Sequence, residues 1–312
     1  MKVLVLFPMQ DKQTGPAIRY AFERLGHEVR VLDIKKIAVG KAYKECCEFM
    51  PDLVFCSRIH QLIEDITMIK KWFKNITICM WSVDTKQVVD SWKRLFPLVE
   101  LCDYYFVVND YHVTEWNKRF KTKTIWLSQG LQDEIYDKPK EITDEDRELY
   151  SCDVSFAGTC RKKASWKWRR DILEAIRETG VNVKTWGSSG YPKVWNEDHN
   201  KMVSLSKINL GMSRLRGNKI RKSVSVRNYK IMGAGGFLLE LHQSGLEDLF
   251  SLNGKDRILD SYISPEQAAE KVMYWLENEE ERKKIAERAY EWVRENATYT
   301  HRIRTALKVM KL

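Results

Sequence analysis

Short apolar runs alternate with helix-length amphipathic stretches along the first 130 residues, and no other feature constrains the fold as tightly. Val3 to Phe7, Glu28 to Leu32, Leu53 to Cys56, Ile76 to Met80, Tyr104 to Val108 and Thr124 to Leu127 read as strands. The stretch from Gly15 to Leu25 reads as a helix that Gly26 stops. Strands separated by helix-length segments pair in parallel through right-handed crossovers, which predicts an open α/β sheet.

The alternation pauses over residues 133–150, an acid-rich stretch with Pro139 and no apolar run, and this predicts a linker. It then resumes. Asp153 to Ala157, Val183 to Trp186, Ile208 to Met212, Phe237 to Leu239 and Arg257 to Leu259 read as strands, and Ser165 to Glu178 as a helix. Ser264-Pro265-Glu266-Gln267 marks a helix start, with Ser264 as N-cap and Gln267 reciprocating. Helical periodicity then runs to about Leu312, broken near Asn278. A chain of 312 residues exceeds the usual size of one core, so two domains are expected, 1–132 and 151–312. Two open α/β domains in tandem would face each other across a cleft and bind ligands at the carboxyl ends of their strands.

Charge separates the halves. Residues 1–150 hold 23 Lys+Arg and 23 Asp+Glu, whereas residues 151–230 hold 18 basic and 6 acidic side chains, so the net +10 of the chain belongs to its second half. Such asymmetry points to a polyanion or a phosphorylated ligand there. The seven cysteines all precede residue 161, are odd in number and lack C-x-x-C spacing. They read as reduced thiols of a cytoplasmic protein rather than a disulfide framework or a zinc site. The scattered histidines give no metal motif, and no apolar run reaches the ~20 residues of a membrane span.

Residues 225–240 read S-V-R-N-Y-K-I-M-G-A-G-G-F-L-L-E, placing Arg227 and Lys230 at a helix and Gly233, Gly235 and Gly236 before an apolar strand. Glycines admit close backbone approach and a helix N-terminus attracts anions, so the segment is a candidate phosphate cradle. Other loops after strands are Gly158-Thr159 with Arg161, Gly187 with its neighbours, and residues 213–227, which hold Arg214, Arg216, Lys219, Arg221, Lys222 and Arg227 without one acid.

Taken together, D-V-S-F-A-G-T (153–159), W-G (186–187), S-K-I-N-L-G (206–211), V-R-N-Y-K-I-M-G-A-G-G-F-L-L (226–239) and T-Y-T-H-R (298–302) make the chain resemble the spore maturation protein B-like glycosyltransferases. That resemblance implies the two-Rossmann-domain GT-B architecture, with a nucleotide-diphosphate sugar, UDP- or GDP-linked, on the C-terminal domain and the acceptor on the N-terminal one. It implies that Gly158, Thr159 and Arg161 line the donor cleft and that Trp186 and Gly187 lie near the base. Arg227, Tyr229, Gly235 and Gly236 would meet the diphosphate. Many relatives have a glutamate, expected to grip the ribose, where Lys230 stands; lysine cannot accept those hydrogen bonds.

The implied chemistry is substitution at the anomeric carbon, with Arg227 and Lys230 stabilising the departing diphosphate so that neither a metal nor a cofactor is required. An inverting reaction needs a base, for which Asp84, Asp110 and His112 are the candidates, each following a first-domain strand. Arg161–Arg170 holds six basic residues around Trp166 and Trp168. Lys162, Lys163, Lys167, Arg214, Arg216, Lys219 and Arg221 are therefore candidate contacts to a polyanion. The acceptor is then a glycan or, alternatively, a hydroxymethylated base in viral DNA. A third reading is a binding protein of the same fold without catalysis.

Overall fold

The computed structural model describes residues 1–312 except 85–88, 162–165, 188–189 and 214–219. The chain divides into two compact units, one of Met1–Gln129, Leu215–Ser223 and Tyr299–Leu312, the other of Gly130–Arg214 and Val224–Thr298.

The first unit alternates β1 (Lys2–Phe7), α1 (Thr14–Arg24), β2 (Glu28–Asp33), α2 (Lys41–Phe49), β3 (Leu53–Ser57), α3 (Ile63–Trp72), β4 (Thr77–Ser82), α4 (Phe96–Leu101), β5 (Tyr104–Val107), α5 (Asp110–Arg119) and β6 (Lys123–Trp126). All six strands are parallel, in the order β2-β1-β3-β4-β5-β6. The two-residue period of a strand explains the layers. Leu4, Leu6, Val54, Cys56, Ile78 and Met80 face one buried cluster, and Val3, Val5, Phe7, Phe55, Cys79 and Trp81 face the other. Both faces are covered, as a parallel sheet requires.

The second unit runs α6 (Asp144–Tyr150), β7 (Cys152–Gly158), α7 (Lys167–Arg177), β8 (Val183–Gly187), α8 (Asn196–Ser204), β9 (Ser206–Gly211), α9 (Val226–Gly233), β10 (Leu238–Leu241), β11 (Asp260–Tyr262), α10 (Pro265–Glu277) and α11 (Glu279–Asn296). Its strands are also parallel, in the order β11-β10-β9-β7-β8. The order reverses beside β7, which leaves a crevice at the carboxyl ends of β7, β8 and β9.

Three expectations need correction. The acid-rich stretch 133–150 is no bare linker: Tyr136 is buried, and Thr143 and Asp146 form a capping box at the start of α6. Acids at a helix N-terminus complement its dipole, so the same residues that look like a solvated spacer start a helix. The last helix, α12 (Tyr299–Met310), belongs to the first unit rather than the second. Its apolar stripe of Tyr299, Ile303, Ala306, Leu307 and Met310 packs in the same cluster as Ala17, Ile18 and Trp81. Arg257–Leu259 precedes the last strand instead of forming it. The N-cap at Ser264 is as expected, its hydroxyl accepting from Gln267 N at 3.2 Å, while Gln267 Oε1 accepts from Ile263 N, one residue upstream of the cap.

Candidate active site

A cavity of about 420 Å³ lies in the second unit where β7 and β8 end, and every described residue lining it belongs to that unit. Gly158 and Thr159 follow from β7, Trp186 and Gly187 close β8, and Ser225, Val226, Arg227 and Lys230 belong to the cap and first turns of α9. Ser225 caps that helix, its hydroxyl accepting from Arg227 N at 3.3 Å. Arg227 and Lys230, three residues apart on a helix, therefore share one face. Four cations line the cavity, Arg169, Lys193, Arg227 and Lys230, and no carboxylate does so among the described residues.

These cations are held differently. Arg169 is buried with its terminal nitrogens on the scaffold, donating to Thr159 O at 2.8 Å and Met212 O at 2.7 Å with its guanidinium over Trp166, and its Nε has no partner. Burial, aided by Arg227, brings it down to about 10. Arg227 lies over the Phe156 ring at 5.1 Å, and its Nη1 is buried with no hydrogen-bond partner. Burial lowers its pKa while buried Glu240 pulls the other way. Glu240 itself accepts from Ser213 N at 2.8 Å and is raised to about 7, chiefly by burial. A Cβ on Gly158 would stand 2.8 Å from Arg227 Nη2 and 2.7 Å from Phe156 Cζ, so only glycine leaves the guanidinium its place.

Lys230 donates to the Tyr136 hydroxyl at 2.6 Å and sits over the Tyr136 and Trp195 rings. Burial, and then Arg227, bring it down to about 8. His199, edge-on to Tyr136, is brought down to about 3 by burial with Lys230 and Arg227 adding to it, so it is neutral at physiological pH. Cations, aromatic rings and a helix N-terminus in one cavity can hold a diphosphate joined to a flat, stackable group.

Of the residues picked from sequence, the structure brings together Gly158, Thr159, Trp186, Gly187, Arg227 and Lys230. Gly235 and Gly236 lie past the far end of α9, lining a hollow with Val203 and Phe237 rather than this cavity. In a parallel α/β unit the helix that follows a strand starts at the carboxyl edge and ends at the opposite one. Tyr229 faces the core beside Phe250, and Arg161 is exposed away from the cavity lining.

Lys167 is paired with Asp171 on the surface at 2.8 Å. Arg221 is fastened in the first unit, its N–H donating to Asn109 Oδ1 at 2.9 Å. Lys162, Lys163, Arg214, Arg216 and Lys219 lie outside the described residues. Among the candidate bases, Asp110 faces Arg221 and Lys222 at 3.7 and 3.8 Å, and His112 is buried in α5. Asp84, just after β4, keeps a carboxylate that is 70% exposed, with one oxygen 2.8 Å from Arg58. Sequence reasoning missed Tyr136, Arg169, Trp195 and His199 as lining residues, and read Trp166 only as an aromatic among the cations of 161–170.

Residues 161–308 match a family described as Glycosyl transferase-like. No curated protein matches the chain in sequence. Among solved structures, a glycosyltransferase from Rickettsia africae is 14% identical with TM-score 0.69, over 99% of this chain and 97% of that one. Anabaena HepE in complex with UDP is 12% identical with TM-score 0.64, over the whole of both chains. An α-glucosyltransferase in complex with UDP and a 13-mer DNA containing a HMU base is 11% identical with TM-score 0.73, over 100% of this chain and 99% of that one. The two parallel-sheet units have the GT-B architecture. Residues 161–308 are thus a glycosyl transferase-like domain within a chain whose fold is that of these glycosyltransferases. Among the described residues no helix is long and apolar enough to cross a membrane, and no cluster of His, Cys, Asp or Glu has the makings of a metal site.

Proposed function

We propose that the second-unit cavity binds a nucleotide-diphosphate sugar and that the enzyme transfers the sugar to an acceptor hydroxyl. The observation that carries this reading is the unpartnered, buried Nη1 of Arg227 beside the capped N-terminus of α9, in a cavity whose charged side chains, among the described residues, are all cations. Charge of that sign, fixed before the reaction, stabilises a diphosphate most as its bond to the anomeric carbon breaks and the electron pair moves to the phosphate oxygen. Arg227 and Lys230 supply it directly, which is why we propose metal-independent transfer. The aromatic rings of Trp186, Trp195 and Tyr136 give the nucleoside flat surfaces. UDP is the favoured nucleotide, since HepE and the α-glucosyltransferase were both solved with it.

The acceptor proton, if the reaction inverts configuration, goes to Asp84, because Asp110 is engaged by Arg221 and Lys222 and His112 is buried. DNA is the second reading for the acceptor, favoured by the net charge of residues 151–230 and by the DNA bound to the similar α-glucosyltransferase. The free thiols, six of the seven buried, suit a cytoplasmic location. A nucleotide panel read by thermal shift, followed by mass spectrometry of products from UDP-sugars with glycan and hydroxymethylated-DNA acceptors, tests the proposal. Stabilisation by UDP with a sugar-bearing product is the expected result; no stabilisation by any nucleoside diphosphate at millimolar concentration overturns it.

A further inference from the structure

The first unit holds a second cavity of about 420 Å³ for which the donor has no use. Arg58, His60, Ser91, Trp92, Lys93 and Arg94 line it. It opens at the carboxyl edge of the first sheet, because Arg58 directly follows β3 and the 3-10 turn Val89–Leu95 comes after β4. Arg58 is preorganised: it donates to Asp84 at 2.8 Å, and its guanidinium lies 4.4 Å over the ring of buried Trp92. The acid on the rim, Asp90, is taken by Arg119 at 2.6 Å, which holds its carboxyl below the usual range. Among the described residues, Arg58, Lys93 and Arg94 line the cavity with Asp90 as its one acid, and the ion pairs Arg58–Asp84 and Arg119–Asp90 leave Lys93 and Arg94 as the excess, although residues 1–150 as a whole carry equal numbers of basic and acidic side chains. The excess is local to this corner.

We propose that this cavity binds a phosphate group carried by the acceptor, an inference that rests on the reading of the first unit as the acceptor side. Guanidinium groups fork onto phosphate oxygens in pairs, lysine adds a point charge, and the Ser91 hydroxyl supplies a further donor. Two net positive charges match one phosphomonoester dianion or two successive phosphodiesters, so a sugar phosphate and a nucleic-acid backbone present the same chemistry.

The test saturates the protein with UDP, to fill the donor cavity, and titrates inorganic phosphate by calorimetry. Lys93 and Arg94 are exposed, so Lys93→Ala/Arg94→Ala leaves the fold intact. Phosphate should bind the wild type and bind the double variant about tenfold more weakly, with UDP affinity unchanged. No phosphate binding to the UDP-saturated wild type, or equal affinity in the variant, overturns the proposal. Failure of UDP itself to bind removes the donor reading instead, and phosphate is then titrated in an Arg227→Ala background, where the same two outcomes decide.

Two further pairs name the source: a hexose phosphate against the hexose, and a thymidine oligonucleotide against its methylphosphonate analogue. Preference for the phosphate form in either pair identifies the carrier. Preference in neither overturns an acceptor-borne phosphate.

Discussion

At the scale of single residues, the donor cavity is a set of cations whose usefulness depends on what each is already doing. Arg169 has both terminal nitrogens on backbone carbonyls and only its Nε unpartnered, while Arg227 keeps a terminal nitrogen unpartnered and Lys230 donates to the Tyr136 hydroxyl. Gly158→Ala should weaken UDP binding by about tenfold, because a methyl group 2.8 Å from Arg227 Nη2 displaces the guanidinium and overpacking of this kind costs ~1–3 kcal/mol. Titration of the variant with UDP checks this. Lys230 gives a pH signature. Its pKa of about 8 means that the free protein loses this positive charge above pH 8, and a bound diphosphate favours the charged form. UDP affinity should hold between pH 6 and 7.5 and fall about tenfold by pH 9, following the protonated fraction. Lys230→Met should bind more weakly at pH 7 and lose the dependence.

At the scale of elements, α9 explains both what the sequence made legible and what it hid. Arg227 and Lys230, picked out by the glycine-rich segment and the family resemblance, sit in the first turns of α9, where Ser225 is the cap. The position of the glycines was hidden because a G-G pair looks the same at either end of a helix, whereas crossover geometry puts these beyond the C-terminus of α9. Gly236→Ala separates the two roles. Its Cβ would stand 2.3 Å from Val203 and 2.8 Å from Asn209, so it should lower the melting temperature by ~1–3 kcal/mol worth of stability while folded protein keeps its UDP affinity. A folded variant that binds UDP poorly would return the glycines to the diphosphate. Arg169, Trp195 and His199 carried no such local signal: they come from α7, from α8 and from its N-cap, and only the packing of those helices brings them to the ends of β7 and β8.

At the scale of the molecule, alternation of strand and helix sufficed to give two parallel sheets and their order along the chain. It did not give the unit boundaries, since periodicity says which face of a helix is apolar and not which core it covers. The stripe on α12 is equally suited to either unit, and it packs with β1, β3 and α1 of the first. Ile303→Ala, at a fully buried position, should cost ~2–4 kcal/mol and lower the thermal midpoint, yet leave UDP affinity of the folded protein unchanged, because the described residues lining the proposed donor cavity all belong to the second unit. Chemical denaturation together with a UDP titration below the transition measures both.

The central claim is that the N-terminus of α9, through Arg227, receives the diphosphate of the donor. The most direct measurement is calorimetric titration of UDP and of uridine into the wild type and Arg227→Ala. Wild type should bind UDP far more tightly than uridine, and Arg227→Ala should lose about tenfold or more of the UDP affinity, the scale of one charge-assisted contact, while uridine affinity is unchanged. Equal UDP affinity in the two proteins, or a loss that falls equally on uridine, would contradict the claim.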